Sequence, residues 1–292
     1  VGATALCANT DGDNNTAVGM CALKANTTGF RNTGLGHRAL DSNTDGNCNT
    51  AVGMTALGAN IGGTQNTAMG VEALALNSTA SNNTAVGFQA MCKNTTGGGT
   101  AVGAFALDAN TTGIHNVAVG GGSLTKNTTG DFNVAIGINS LCTNVTSDAN
   151  TAVGYFALKL NTGAGNVALG HESLSANTTA SDNTAIGANT LKANTTGTSN
   201  VSVGTQSLQN NISASCNTAV GMKAMCSNTT GAGNVGIGTC TLKANTEGTL
   251  NTAVGTFALD ANTTASNNTS IGYNSLTANT TGTNNTALGQ RA

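Results

Sequence analysis

Asn15-Thr16-Ala17-Val18-Gly19 is a pattern the chain restates, with small changes, at Asn49–Gly53, Asn83–Gly87, Asn150–Gly154, Asn217–Gly221 and Asn251–Gly255. The glycine that closes it stands at 2, 19, 36, 53, 70, 87, 103, 120, 137, 154, 170, 187, 204, 221, 238, 255, 272 and 289, so every step is 17 residues except two of 16. With the motif Asn as position 1, the consensus reads N-T-A-V-G-x-x-A-L-x-x-N-T-T-G-x-x. A fixed period of this kind is the signature of stacked supersecondary units.

Each position carries a physical expectation. Position 2 is Thr or Val and position 4 is Val, Ile, Leu or Met, residues that suit a pleated, half-buried strand. Side chains at 2 and 4 share one face of such a strand, and the aliphatic residue at 4 is expected to point into the core. Position 3 lies on the opposite face and is only Ala, Gly or Ser (Ala17, Gly34, Ser202). Position 5 is always Gly, which fits a corner with positive φ or a close approach of backbone. Position 9 is Leu or Met (Leu23, Met91, Leu158, Met225), a second core ridge, and position 8 beside it is Ala, Ser or Thr. Position 12 is Asn in every copy. The two short copies lose their residue within Asn94–Gly99 and within Asn161–Asn166. Positions 13–17 are therefore a turn, where length changes are tolerated.

A unit with two apolar positions cannot bury a core alone, but it can when stacked on similar neighbours. Glycine at position 5 and β-branched residues at 2, 4 and 13 oppose a helix. The expected fold is all-β: a parallel β-solenoid or β-roll of about 17 coils with a 17-residue repeat, forming a single repeat domain over 1–292. Composition agrees, with 40 Gly, no Pro, no Trp and only 8% charged residues, against about 25% charged in an average domain. Asn, Thr and Ser must then supply the solvation. A net charge of −2 gives no reason to expect nucleic acid as a partner, and no apolar run approaches the roughly 18 residues of a membrane span. The chain begins at register position 4 (Val1) and stops at position 8 (Ala292) without a polar capping repeat. It reads as a segment of a longer array, or as a unit that joins end to end.

Asn at positions 1 and 12 is expected to form two ladders along the stack, beginning Asn15, Asn49 and Asn83 in one and Asn26, Asn60 and Asn94 in the other. A second reading of some of these residues is N-glycosylation, because Asn26, Asn110, Asn127, Asn177, Asn194, Asn262 and Asn279 all sit in N-x-[ST] triplets. The Thr columns at 13 and 14 suggest an ice-binding face as an alternative, although Asp45, Gly62 and Glu247 interrupt position 14. Among eight cysteines, Cys7–Cys21 and Cys226–Cys240 repeat one separation and register pair, and are candidate disulfides between neighbouring coils. No C-x₂-C metal spacing, phosphate loop or calcium nonapeptide occurs. His37, His115 and His171 have no carboxylate pairs beside them, so neither an enzyme nor a cofactor is expected.

Positions 3 and 8 exclude Lys, Glu and Gln, as a solvated face would not. Another surface must approach closely there, either the second side of the same flattened coil or a neighbouring chain. We expect a neighbouring chain, with Ala17, Ala22, Ala51, Ala56, Ala85, Ala90, Ala219, Ala224, Ala253 and Ala258 forming a self-association face.

NTAVGxxALxxNTTGxx arrays, together with Gly233-Asn234-Val235-Gly236-Ile237-Gly238-Thr239, resemble the stalk repeats of tail-fibre-domain proteins of bacteria, phages and large algal viruses. The strand motif is also similar to the head repeats of trimeric autotransporter adhesins, a left-handed parallel β-roll with a shorter repeat. The resemblance covers the whole chain and implies a left-handed coil, a homotrimer and a place on a cell surface or virion. No chaperone domain of the tail-fibre kind is present in the sequence. The functional expectation is an extracellular structural fibre or filament that associates with itself and serves as spacer or adhesive stalk for a receptor or glycan. The alternative is an ice- or glycan-binding solenoid module.

Overall fold

The computed structural model describes residues 1–292, which divide into two compact units, Val1–Asp148 and Ala149–Ala292. Both are parallel β-solenoids with the 17-residue repeat and no helix. The first unit holds eight strands, from β1 (Thr16–Val18) and β2 (Thr33–Leu35) through β6 (Gly99–Val102) and β7 (Asn116–Val119) to β8 (Val134–Ile136). The second holds nine, from β9 (Thr151–Val153) and β10 (Val167–Leu169) to β17 (Thr286–Leu288). Each strand is positions 2–4 of the repeat. Within a unit it pairs in parallel with the same positions one coil away: Thr16 faces Thr33, Ala17 faces Gly34 and Val18 faces Leu35. Across a shortened coil the register holds, with Thr151 facing Val167.

Position 5 turns the corner for the two reasons the sequence offered. Gly53 has φ +135°, a region essentially closed to residues with a Cβ, and an added Cβ would stand 2.4 Å from the carbonyl oxygen of Gly70 in the next coil. Beyond it the chain does something the composition did not suggest. Positions 7 and 9 are both left-handed although, Gly122 apart, neither is glycine, as at Thr55 (φ +54°) and Leu57 (φ +50°), and position 17 repeats the conformation at Gln65 (φ +59°). Left-handed backbone costs an ordinary residue roughly 1–2 kcal/mol. It persists because neighbouring coils fix it: Thr55 N–H donates to His37 O at 2.9 Å and Leu57 N–H to Ala73 O at 3.0 Å.

The core reverses the expected sidedness of the strand. Position 3 points inward and is fully covered, while positions 2 and 4 face out. Ala17, Ala22, Ala51, Ala56, Ala85, Ala90, Ala219, Ala224, Ala253 and Ala258 are all buried within their own coils and form no external face. The physical reason is volume. The Leu or Met ridge of position 9, fully buried as expected, nearly fills the narrow interior, and the facing residues can be no larger than Ala, Ser or Thr. Gly34 makes the limit plain, since a Cβ there would lie 3.4 Å from Leu23 Cγ and 3.2 Å from Ala39 O. At Gly236 the missing methyl is replaced by Met225, whose Cε lies 3.3 Å from the Cβ position.

The rest of the interior is amide. In the position 12 column, Asn60 Nδ2 donates to Asn43 Oδ1 at 2.7 Å and to Gly63 O in its own turn at 3.0 Å, and Asn60 Oδ1 accepts from Asn77 at 2.9 Å. In the position 1 column, Asn49 Oδ1 accepts the backbone N–H of Asn66 at 3.0 Å, and its Nδ2 donates to Gly63 O at 2.8 Å. Both columns thus converge on the carbonyl of position 15, and the same joint ties Asn15 and Asn26 to Gly29 O at 2.7 and 2.9 Å. Buried amides of this kind are tolerated because their polar atoms find partners.

Candidate interaction surface

Three surfaces follow from this arrangement. On the outer face of the strands, position 4 presents an unbroken aliphatic column. In the first unit it runs Val18, Leu35, Val52, Met69, Val86, Val102, Val119 and Ile136; Val18, Leu35 and Met69 are 41%, 44% and 45% exposed. In the second it runs from Val153 through Leu169, Ile186 and Ile237 to Leu288, again with large exposed side chains. The column beside it, position 2, is Thr or Val, and neither column contains a charged residue. Isolated exposed aliphatics need no explanation, but contiguous ones mark surfaces that other molecules cover.

The second surface is the corner at positions 6, 7 and 10, where ionisable and aromatic residues gather. In the first unit Phe88 and Phe105 meet edge to face at 5.2 Å. In the second, Tyr155 stacks on His171 at 5.5 Å, Lys159 lies 4.2 Å over the Phe156 ring, and Lys192 Nζ approaches Glu172 Oε2 at 2.6 Å. The hydrogen bond from Lys192 holds the Glu172 carboxyl below the usual range. Burial pushes the Asp108 carboxyl up, and Lys93, with Nζ 3.7 Å away, only partly offsets it. Cys92 beside them is raised as well, first by burial and then by Asp108 and Glu72. These pairs are surface features of a corner, with no metal-binding cluster of His, Cys, Asp or Glu among them.

The third surface is the turn at 13–17. The position 13 hydroxyls that suggested an ice-binding row are used within the stack: Thr27 Oγ1 donates to Thr44 O at 3.1 Å and Thr111 Oγ1 to Thr128 O at 3.0 Å. The proposed glycosylation sites meet the same difficulty. Asn26, Asn110, Asn127, Asn177, Asn194 and Asn262 are fully buried, and Asn279 donates its Nδ2 to Gly282 O at 3.0 Å. A glycan on any of the six buried nitrogens would replace a ladder donor, and the folded coil leaves no room for it there. The two disulfides are also absent. Cys7 stacks on its own column, with Sγ donating to Lys24 O at 3.6 Å, while Cys21 lies 3.3 Å from Thr4 Oγ1. Cys226 likewise contacts Lys243 O in the position 10 column, and Cys240 is buried in the position 7 column.

Shortening acts differently in the two short coils. In Asn161–Asn166 the lost residue precedes position 15, because Asn161 Nδ2 reaches Gly163 O two residues on rather than three. Gly165 (φ +69°) still supplies the left-handed position 17. In Asn94–Gly99 the Asn94-to-Gly97 bond is normal at 3.0 Å, and it is position 17 that is missing. Gly99 takes the place of the ladder Asn, its N–H donating to Asn83 Oδ1 at 2.9 Å. The result is a cleft of about 540 Å³ with Ser81 and Asn82 on one side and Ile114 and His115 on the other. The sequence located both deletions; only the structure distinguishes them.

No family model and no curated protein matches the sequence. The chain is therefore described by its architecture, as a β-solenoid repeat protein.

Proposed function

We propose that the protein is a structural fibre element that associates with further copies of itself through the aliphatic column at position 4. The observation that carries this reading is the column itself, which repeats once per coil and contains no charge. A surface with one-coil periodicity is matched row for row only by another of the same period, and a second copy of the chain supplies one. Burying such a column gains about 25 cal/mol per Å² of apolar surface removed from water. The resemblance to stalk and adhesin-head repeats supports a trimer displayed outside a cell or on a virion, where the fibre would give reach and rigidity. An end-to-end filament is the variant in which coil ends also pair.

Negative-stain electron microscopy of the purified chain tests the proposal. Fibres wider than one solenoid are expected for the native protein. Single solenoids are expected when Val52 and Val86 are both replaced by Glu. Single solenoids from the native protein would refute self-association.

A further inference from the structure

The cleft in the first unit has a shape that follows from one missing residue. Column 17 runs Asn82, then the omitted position, then His115, then Phe132. Coils stack about 4.8 Å apart, so Asn82 and His115 stand roughly two spacings, about 10 Å, from each other with one layer left out. Both have the left-handed backbone of their column, φ +62° and +57°, so their side chains leave the coil in the same direction. The His115 ring is backed on one face by Phe132, 5.2 Å away and tilted by only 20°. Its other face borders the cleft. Gly97, Gly98 and Gly99 line the cleft between these walls, and none of the lining residues is an acid, lysine or arginine. Hydroxyl and amide groups of Ser81 and Asn82 line one wall and Ile114 adds an apolar edge opposite.

We propose that this slot binds a single neutral pyranose ring. The gap is one layer thick, the thickness of a flat ring. The electron-rich face of a backed aromatic ring attracts the polarised C–H groups on the apolar face of a sugar, as it attracts the positive edge of another ring. The amide and hydroxyl wall then meets the equatorial hydroxyls. Pockets that orient small ligands combine an apolar platform with a few polar groups in this way. The second shortened coil keeps its position 17 as Gly165, and Asp182 Oδ1 stands 2.7 Å from where its Cβ would be, so the site arises from where the residue is lost and not from shortening itself.

The test is saturation-transfer NMR on the full chain with methyl pyranosides of glucose, galactose, mannose and N-acetylglucosamine. Saturable transfer to the ring protons of at least one sugar is expected. It should weaken about tenfold in His115→Ala and survive in His115→Phe, which keeps the platform. Inserting one asparagine between Gly98 and Gly99 restores the 17-residue coil and should abolish it, with the circular dichroism spectrum unchanged. No transfer to any of the sugars, equal transfer to the insertion variant, or binding of N-acetyltyrosinamide in their place would overturn the assignment.

Discussion

Thr55 shows how the stack holds individual residues in conformations they would not choose. It is β-branched, left-handed at φ +54°, and has its N–H fixed to the preceding coil. Asn adopts this backbone more readily than Thr because its short side chain bonds locally, and the chain itself places Asn139, Asn189 and Asn274 at the same position. Thr55→Asn is expected to stabilise the protein by about 1 kcal/mol, read as a higher midpoint in urea. An unchanged or lower midpoint would mean that the surrounding coils, not the residue, set the cost. This strain was not legible in the sequence, since positions 7, 9 and 17 are seldom glycine. The corner at position 5 was legible, because glycine never varies there.

The strand and its ladders belong to a larger scale, where the unit of stability is a column and not a residue. Asn60 joins three hydrogen bonds, with Asn43, Gly63 and Asn77, in a fully buried site. Asn60→Ala leaves one N–H of Asn77 and the Oδ1 of Asn43 without partners, each worth about 1–3 kcal/mol, while Gly63 O keeps its bond from Asn49. The loss should be about 3 kcal/mol or more by denaturant titration, and a loss under about 1 kcal/mol would show that water replaces the amide. The corner column behaves differently because it carries charge. Asp108 has its carboxyl pushed up by burial, so the unfolded chain ionises first as pH rises. Its effect on stability is nil below the ordinary carboxylate range. The penalty grows as pH rises from about 4 through the folded-state value and is complete above it. Asp108→Asn should therefore melt higher than the native protein at pH 7 and match it near pH 3. Equal melting at both would show that Lys93 compensates fully.

At the scale of the strand, the alternation of Thr16, Ala17 and Val18 placed the side chains correctly on two faces but not on the correct sides. Apolar bulk suggested that Val18 was inside. Interior volume decides otherwise, because a coil with Leu23 already within it has room only for Ala17 and Ala22. One signal was available in the repeat. Position 4 varies freely among Val, Ile, Leu and Met, more than a tightly packed interior allows, whereas position 3 hardly varies in size. The cleft beside His115 was visible only as a 16-residue step. Which register position had been lost depended on hydrogen bonds that no spacing records.

For the whole molecule, inverting the strand moves the proposed self-association surface from the alanines to the aliphatic column outside them. The same inversion changes what a charge would do at neighbouring residues. Ala51→Glu would bury a carboxylate in the coil and should unfold it, whereas Val52→Glu adds a charge on the outer face of an intact coil. Sedimentation velocity of the native chain beside the Val52→Glu, Val86→Glu double variant, each paired with its circular dichroism spectrum, tests this most directly. The native chain is expected to sediment as a discrete oligomer and the variant as a folded single chain. A native chain that sediments as a monomer, or a variant that still assembles, would contradict self-association through the aliphatic column.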